Sequence, residues 1–170
     1  DLEVDSIGEV SFTGLDNEYC IDGAPPVLIG NPQNSDGVFT YDGTSGGMAD
    51  YNNGSGSFFP SVAGAGSYNV TYTYTNPLTG CSRDTTKPVI VHDLPVMIGT
   101  DLRSTYNVLE TPHILTGNPA PGTFSGPGIV NSGTTFDPDN AGIGGPYTLT
   151  YSHTDANGCS NKHIKERIIK

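Results

Sequence analysis

Residues 57–82, SFFPSVAGAGSYNVTYTYTNPLTGCS, return as residues 135–160, TFDPDNAGIGGPYTLTYSHTDANGCS, with the phenylalanine, the Ala-Gly step, the tyrosines and a closing Gly-Cys-Ser in the same order. A duplication of this length inside 170 residues divides the chain into two alike modules, each within the range of about 50–200 residues common for a domain. The register extends to both sides. LIGNP at 28–32 matches LTGNP at 115–119 at an offset of 87, and Gly37-Val38-Phe39 matches Gly122-Thr123-Phe124 at 85. Phe58 and Ala63-Gly64 match Phe136 and Ala141-Gly142 at 78, and Tyr68 and Tyr72 match Tyr147 and Tyr151 at 79. The copies thus differ by small surface insertions, which add only slowly to loop-closure entropy. The expected modules are residues 1–92 and 93–170, joined by a short His92-Asp93-Leu94-Pro95 spacer stiffened by its proline.

Within each copy the hydrophobic period is two. Tyr68, Val70, Tyr72 and Tyr74 alternate with serine, asparagine and threonines, and Tyr147, Leu149, Tyr151 and His153 repeat the alternation, which is the signature of half-buried antiparallel strands. Further strands are expected at SIGEVSF, YCI, PVLIG, GVFTY and KPVIVH in the first copy, and at PVMIG, YNVL, HILTG, GTFSG and HIKERII in the second. Gly 23 and Pro 13, with no tryptophan, describe a chain that turns often, and no stretch sustains helical periodicity. Six or seven short strands per module predict an all-β chain of two tandem antiparallel β-sandwich domains. Gly66-Ser67-Tyr68 and Gly145-Pro146-Tyr147 place a tyrosine where a strand leaves a glycine bend. Its hydroxyl there either folds back onto the bend, as in a tyrosine corner, or the ring simply fills the core.

A formal charge of -11, from 7 basic and 18 acidic residues, repels polyanions and excludes nucleic acid as a partner. No apolar run has membrane-spanning length, so no membrane insertion is expected. The opening DLEVDSIGEV lacks the features of a signal peptide, and the simplest expectation is a mature or excised fragment.

Three cysteines are present. Cys20 and Cys81 fall in one copy, on strands that a sandwich can bring together, and a disulfide between them is expected; closing a loop of some 60 residues would stabilise by about 4 kcal/mol on the chain-entropy view. The 87-residue offset puts Asn107 where the second copy would carry a partner, which leaves Cys159 unpaired. Its readings are a buried inert thiol, which is favoured, a bridge to another chain, or an accident of the repeat.

The run GNPAPGTFSGPG, followed by FDPDNAGIGG, YTLTY and DANGCS, resembles the immunoglobulin-like or PKD-like repeats that occur in tandem in very large cell-surface proteins of gliding bacteria using type IX secretion. The resemblance covers both copies and is best from Gly117 to Ser160; GVFTYDG in the first copy departs from it. It implies immunoglobulin-like folds and a noncatalytic segment of an extracellular adhesin or filament used in attachment or gliding. Its partners would be neighbouring repeats of the same polypeptide and a surface polysaccharide or substratum. It also implies pairing of an early cysteine with the Gly-Cys cysteine, in agreement with Cys20 and Cys81. No catalytic residue carries over.

Other chemistry has weaker warrants. Hydrolase chemistry would need a nucleophile with a base and an orienting acid, and Gly54-Ser55-Gly56-Ser57 is more simply a flexible loop. No HExxH or Cys-x-x-Cys spacing arises among His92, His113, His153 and His163. Calcium is the one inorganic alternative, with Asp137, Asp139 and Asn140 as oxygen ligands, and Asp155, Asn157 or Asp93 as others; turn formation is the stronger reading of these residues. No cofactor is otherwise expected. The stretch 41–57 is seven residues longer than its counterpart. Tyr41, Asp42, Asp50, Tyr51, Asn52 and Asn53 there combine aromatic faces with polar groups that suit sugar recognition. An accessory carbohydrate-binding or spacer module of a secreted polysaccharide-degrading enzyme is therefore the alternative to the adhesin. The triplets at 5–7 and 84–86 resemble O-glycan acceptors.

Overall fold

The structure is a computed structural model, described here for residues 8–170. It divides into two compact units, one running to Asp93 and the other from Leu94 to Lys170. The triplet at 5–7 and the start of the first expected strand lie outside the described residues.

In the first unit the strands are β1 (Ser11–Thr13), β2 (Glu18–Cys20), β3 (Val27–Asn31), β4 (Gly37–Tyr41), β5 (Met48–Asp50), β6 (Ser55–Phe58), β7 (Gly66–Thr75) and β8 (Ser82–His92), with one helical turn, α1 (Pro60–Ala63), before β7. They form two four-stranded sheets, ordered β1-β3-β6-β5 and β2-β8-β7-β4. All pairings are antiparallel except that of β2 with β8. Both sheets feed one core. Phe12, Leu28 and Phe58 enter from the first sheet, and Phe39, Val70, Tyr72, Val89 and Val91 from the second. The alternation along β7 is the cause: Val70 and Tyr72 are fully buried, while Tyr68 and Tyr74 are half-buried against the same cluster.

The second unit repeats this plan with shorter pieces: β9 (Gly99–Thr100), β10 (Thr105–Tyr106), β11 (His113–Ile114), β12 (Gly117–Asn118), β13 (Thr123–Ser125), β14 (Ile129–Val130), a 3-10 turn (Asn131–Gly133), β15 (Thr135–Phe136), α2 (Pro138–Ala141), β16 (Gly144–Thr154) and β17 (Ser160–Ile169). One sheet is ordered β10-β17-β16-β13. The other is interrupted at Leu115 and Thr116 into β9-β12 and β11-β15-β14. Tyr106, Phe124, Phe136, Leu149, Tyr151 and Ile169 supply its core.

The stepwise offsets have structural causes. Gly66 and Gly144 correspond at 78, yet Tyr68 and Tyr147 correspond at 79. In β16 the register shifts between Gly144 and Tyr147, so two residues, Gly145 and Pro146, face the single Ile168. This is a β-bulge, one extra residue on one strand. The following turn is one residue shorter: Thr75 pairs with Ser82 across six residues, Thr154 with Ser160 across five. The offset accordingly returns to 78 at the cysteines.

Several expectations are corrected. Residues 41–57 are not one long loop. Met48–Asp50 and Ser55–Phe58 pair as strands, and Gly54-Ser55-Gly56-Ser57 is buried rather than flexible. Glycine is needed at 56 because a Cβ there would sit 2.6 Å from the Ala49 carbonyl oxygen and 3.2 Å from the Phe39 ring. The expected strand KPVIVH begins five residues earlier, at Ser82, since its polar start pairs with Thr71–Thr75 on an exposed part of the sheet. PVMIG contributes strand only from Gly99, and YNVL only Tyr106, because Asn107 and Glu110 close a turn there.

The cysteine assignment is corrected too. Cys20 and Cys159 are disulfide-bonded, and Cys81 is a free, exposed thiol. Cys20 lies opposite His92 at one end of β8, whereas Cys81 precedes Ser82 at the other end. Ten residues at about 3.3 Å each separate those ends by about 33 Å, against the roughly 4.4–6.8 Å between Cα atoms that a disulfide allows. The Gly-Cys step belongs to the hairpin turn, and not to the strand end that meets β2.

Candidate functional site

The side chains that both copies keep converge on one buried arrangement. The Tyr72 ring lies over Gly30 of β3 and Gly37 of β4, where an added Cβ would approach its Cζ and its hydroxyl to 2.1 and 1.8 Å. Its other neighbour is Phe39, 4.6 Å away between centroids and tilted by 39°. The Tyr72 hydroxyl donates to the Pro32 carbonyl oxygen. The second unit reproduces each part. Cβ atoms at Gly117 and Gly122 would meet Tyr151 at 2.2 Å, and Phe124 packs at 4.6 Å and 38°. The Tyr151 hydroxyl donates to the Pro119 carbonyl oxygen at 2.5 Å. Burial raises the pKa of both phenols. A folded-state pKa above the unfolded value near 10 favours the protonated form, so this contribution to stability is lost as pH rises beyond about 10. Sequence reasoning saw the glycines as turns. The signal for their packing role was their fixed order, Gly-Asn-Pro then Gly-x-Phe, in both halves.

A second duplicated contact fixes the strand that joins the end of the last one. The Asp16 amide donates to the Tyr19 hydroxyl at 2.8 Å, and the Arg103 amide to the Tyr106 hydroxyl at 3.0 Å. The tyrosine at the glycine bend is placed alike in both copies. Tyr68 donates to the Ala63 carbonyl at 2.6 Å, folding back onto the preceding turn. Its hydroxyl lies 3.1 Å from where a Cβ of Gly66 would stand, and the Tyr147 hydroxyl lies 2.9 Å from the same point on Gly144 despite the bulge.

The six residues expected to form a ligand loop fall into two groups with local partners. Tyr41 packs at 6.0 Å from Phe58 and 5.8 Å from Tyr68, and its hydroxyl donates to the Thr44 carbonyl. Asp42 accepts from the Asn69 amide and side chain, both at 2.8 Å. In the β5–β6 turn, Asp50 accepts from the Phe39 amide at 3.3 Å and Asn53 accepts from the Ser55 amide at 3.0 Å. Asn52 takes φ 55. Tyr51 donates to Ser57 Oγ at 3.0 Å and leaves its ring 49% exposed. That ring face, with the exposed Asp42, Asn52 and Asn53, is what the group offers to solvent.

The bonds from Asn69, its amide first, hold the Asp42 carboxyl below the usual range, and the Asn107 amide followed by Arg103 does the same for Glu110. A depressed folded-state pKa contributes stability above the unfolded value, about 3.9 for Asp and 4.3 for Glu, that disappears as pH falls through the folded one. Circular dichroism against pH is expected to show acid destabilisation beginning below about pH 4, with the early part of the loss reduced in Asp42→Asn.

The calcium set is built as a turn. Asp137 is the N-cap of α2 and accepts from the Asp139 amide at 3.1 Å and the Asn140 amide at 3.4 Å. Asp137 and Asp139 line a cleft of about 350 Å³ with Val108, Leu109, Glu110 and Pro112, where Glu110 is already bonded to Arg103. Asp155 accepts from the Asn157 and Cys159 amides at 2.9 Å. Among the described residues no group of three or more His, Cys, Asp or Glu side chains is placed to hold a metal ion. In the first unit Phe59 occupies the cap position without a side-chain bond. Asp137→Ala is expected to lower the stability of the second unit by about 0.5–2 kcal/mol, whereas Phe59→Ala tests packing alone; thermal unfolding followed at 222 nm distinguishes them.

Sequence reasoning also missed a cleft of about 520 Å³ in the interrupted sheet of the second unit, lined in part by Thr100, Asp101, Thr116 and Asn118. Asp101 there accepts from the Thr116 amide at 2.9 Å and lies 3.6 Å from His113 Nε2. A scan against protein-family models finds no match to the chain, and a search of curated proteins finds none.

Proposed function

We propose that the two units are immunoglobulin-like sandwiches in tandem, and that the chain is a noncatalytic structural segment of a secreted bacterial adhesin or surface filament. One observation carries this reading: the positions that the repeat holds constant build shape. Tyr72 and Tyr151, with their glycines and phenylalanines, face the interior and end on backbone carbonyl groups. The polar groups of the loops serve caps and turns. A chain duplicated for chemistry would keep a reactive cluster in both halves; this one keeps a packing rule. The resemblance to tandem repeats of gliding bacteria supports surface display and contact with neighbouring repeats or a substratum.

The half-exposed Tyr51 ring favours the second reading, an accessory sugar-binding module. In-frame deletion of this segment from its parent polypeptide separates the two. Weaker attachment of cells to surfaces, with extracellular polysaccharide hydrolysis unchanged, is the expected result. Lost hydrolysis with attachment intact overturns the adhesin reading, and glycan-array binding that Tyr51→Ala abolishes would establish the module.

A further inference from the structure

The hairpin-tip cysteine occurs in both units. The Asn76 amide donates to the Cys81 carbonyl at 2.8 Å, and the Asp155 amide to the Cys159 carbonyl at 2.9 Å, so each cysteine closes the corresponding hairpin turn of its unit. Cys159 is buried and disulfide-bonded, whereas Cys81 is exposed and free. The other two cysteines of the chain are already bonded, and Cys20 lies at the far end of β8 from Cys81. We propose that Cys81 is a covalent docking point, which forms a disulfide with a cysteine outside this chain, carried by a further module of the same kind.

Three observations carry the proposal. The equivalent turn in the second unit already presents its sulfur to a disulfide. The turn that carries Cys81 is pinned by the Asn76 side chain, which accepts from the Leu78 amide at 2.9 Å, and by the Gly80 amide bond to the Asn76 carbonyl at 2.8 Å. Leu78 in the same turn is 92% exposed, so the turn is open to an incoming neighbour. The oxidant is a disulfide donor of small-molecule or protein class. The Cys81 thiolate attacks the donor S–S bond and expels one donor thiolate. The partner thiolate then attacks Cys81 Sγ of the mixed disulfide, so that the second donor thiolate leaves. The two cysteines lose two electrons and two protons, and the donor becomes two thiols.

The experiment uses the parent protein taken directly from cells, with free thiols blocked by N-ethylmaleimide before lysis, and maps its unreduced chymotryptic peptides. The expected result is recovery of the Cys81 peptide cross-linked to another cysteine peptide, with under a tenth of it alkylated. Unreduced gels identify the source: a band that falls in mass on reduction marks a second chain, and a mobility change at constant mass marks the same polypeptide. Stoichiometric alkylation of Cys81 overturns the proposal. Cys81→Ser is expected to remove the cross-link while leaving the Cys20 and Cys159 peptides bonded; persistence of the cross-link would also overturn it. This inference rests on the chain being one of several modules, but the attachment assay and the thiol map fail independently.

Discussion

Tyr72→Ala is expected to destabilise the first unit by about 3–5 kcal/mol, the cost of removing a large buried aromatic ring. The ring is fully buried and fills the space that Gly30 and Gly37 leave, so neither neighbour has side-chain atoms with which to close the cavity. Its removal also strands the Pro32 carbonyl that receives the hydroxyl. Small domains hold only about 5–15 kcal/mol in total, and the urea midpoint of this unit is expected to fall by roughly a fifth or more. Tyr151→Ala is expected to do the same to the second unit. Tyr72→Phe separates the parts: it keeps the ring and is expected to cost about 1–3 kcal/mol for the unpaired carbonyl. The converse change, Gly30→Ala, forces a methyl to 2.1 Å from Tyr72 Cζ and is expected to cost about 1–3 kcal/mol, with relief when combined with Tyr72→Leu. Equal losses in Tyr72→Ala and Tyr72→Phe would contradict the glycine-lined slot.

The second large effect is expected at Gly14. Its φ of +93° is unfavourable to any side chain, and a Cβ would lie 2.1 Å from the Val27 carbonyl oxygen and 3.1 Å from its carbon. Those atoms are backbone of β3, held by its pairing with β1 and β6. Gly14→Ala is therefore expected to lower stability by about 3 kcal/mol or more, by strain and overpacking together. Gly158 is the control. It takes φ +81°, but a Cβ there meets nothing within 4 Å. Gly158→Ala is expected to cost only about 1 kcal/mol. Equilibrium unfolding of both variants checks the pair, and similar losses would mean that backbone conformation alone, without the Val27 contact, sets the cost.

The sequence revealed the fold where burial follows simple alternation. Along β7 and β16 the aromatic and aliphatic residues fall on one face, and the structure buries Val70, Tyr72, Leu149 and Tyr151. It failed where small residues do the packing. Gly56 and Ser57 in β6 resemble a linker until Phe39 is placed against the glycine and Tyr51 against the serine. It failed again where strands are made of polar residues, as at Ser82–Thr86, whose pairing depends on the facing strand rather than on hydrophobicity. Cysteine pairing was the least legible feature. Spacing placed Cys20 and Cys81 in one copy, but only the register of β2 on β8 reveals that they stand at opposite ends of it. The ligand residues were legible as a group in sequence, although their hydrogen bonds to Asn69, Phe39 and Ser55 could not be inferred without the fold.

The one-residue bulge in β16 and the one-residue-shorter turn after it offset each other, which makes the long hairpin a transferable cassette. A graft that moves Gly144–Ile169 in place of Gly66–Val91 as a piece carries both irregularities and preserves inside-outside parity at each junction. A crossover between the bulge and the turn would import only one of them and leave the hairpin one residue longer or shorter than either parent.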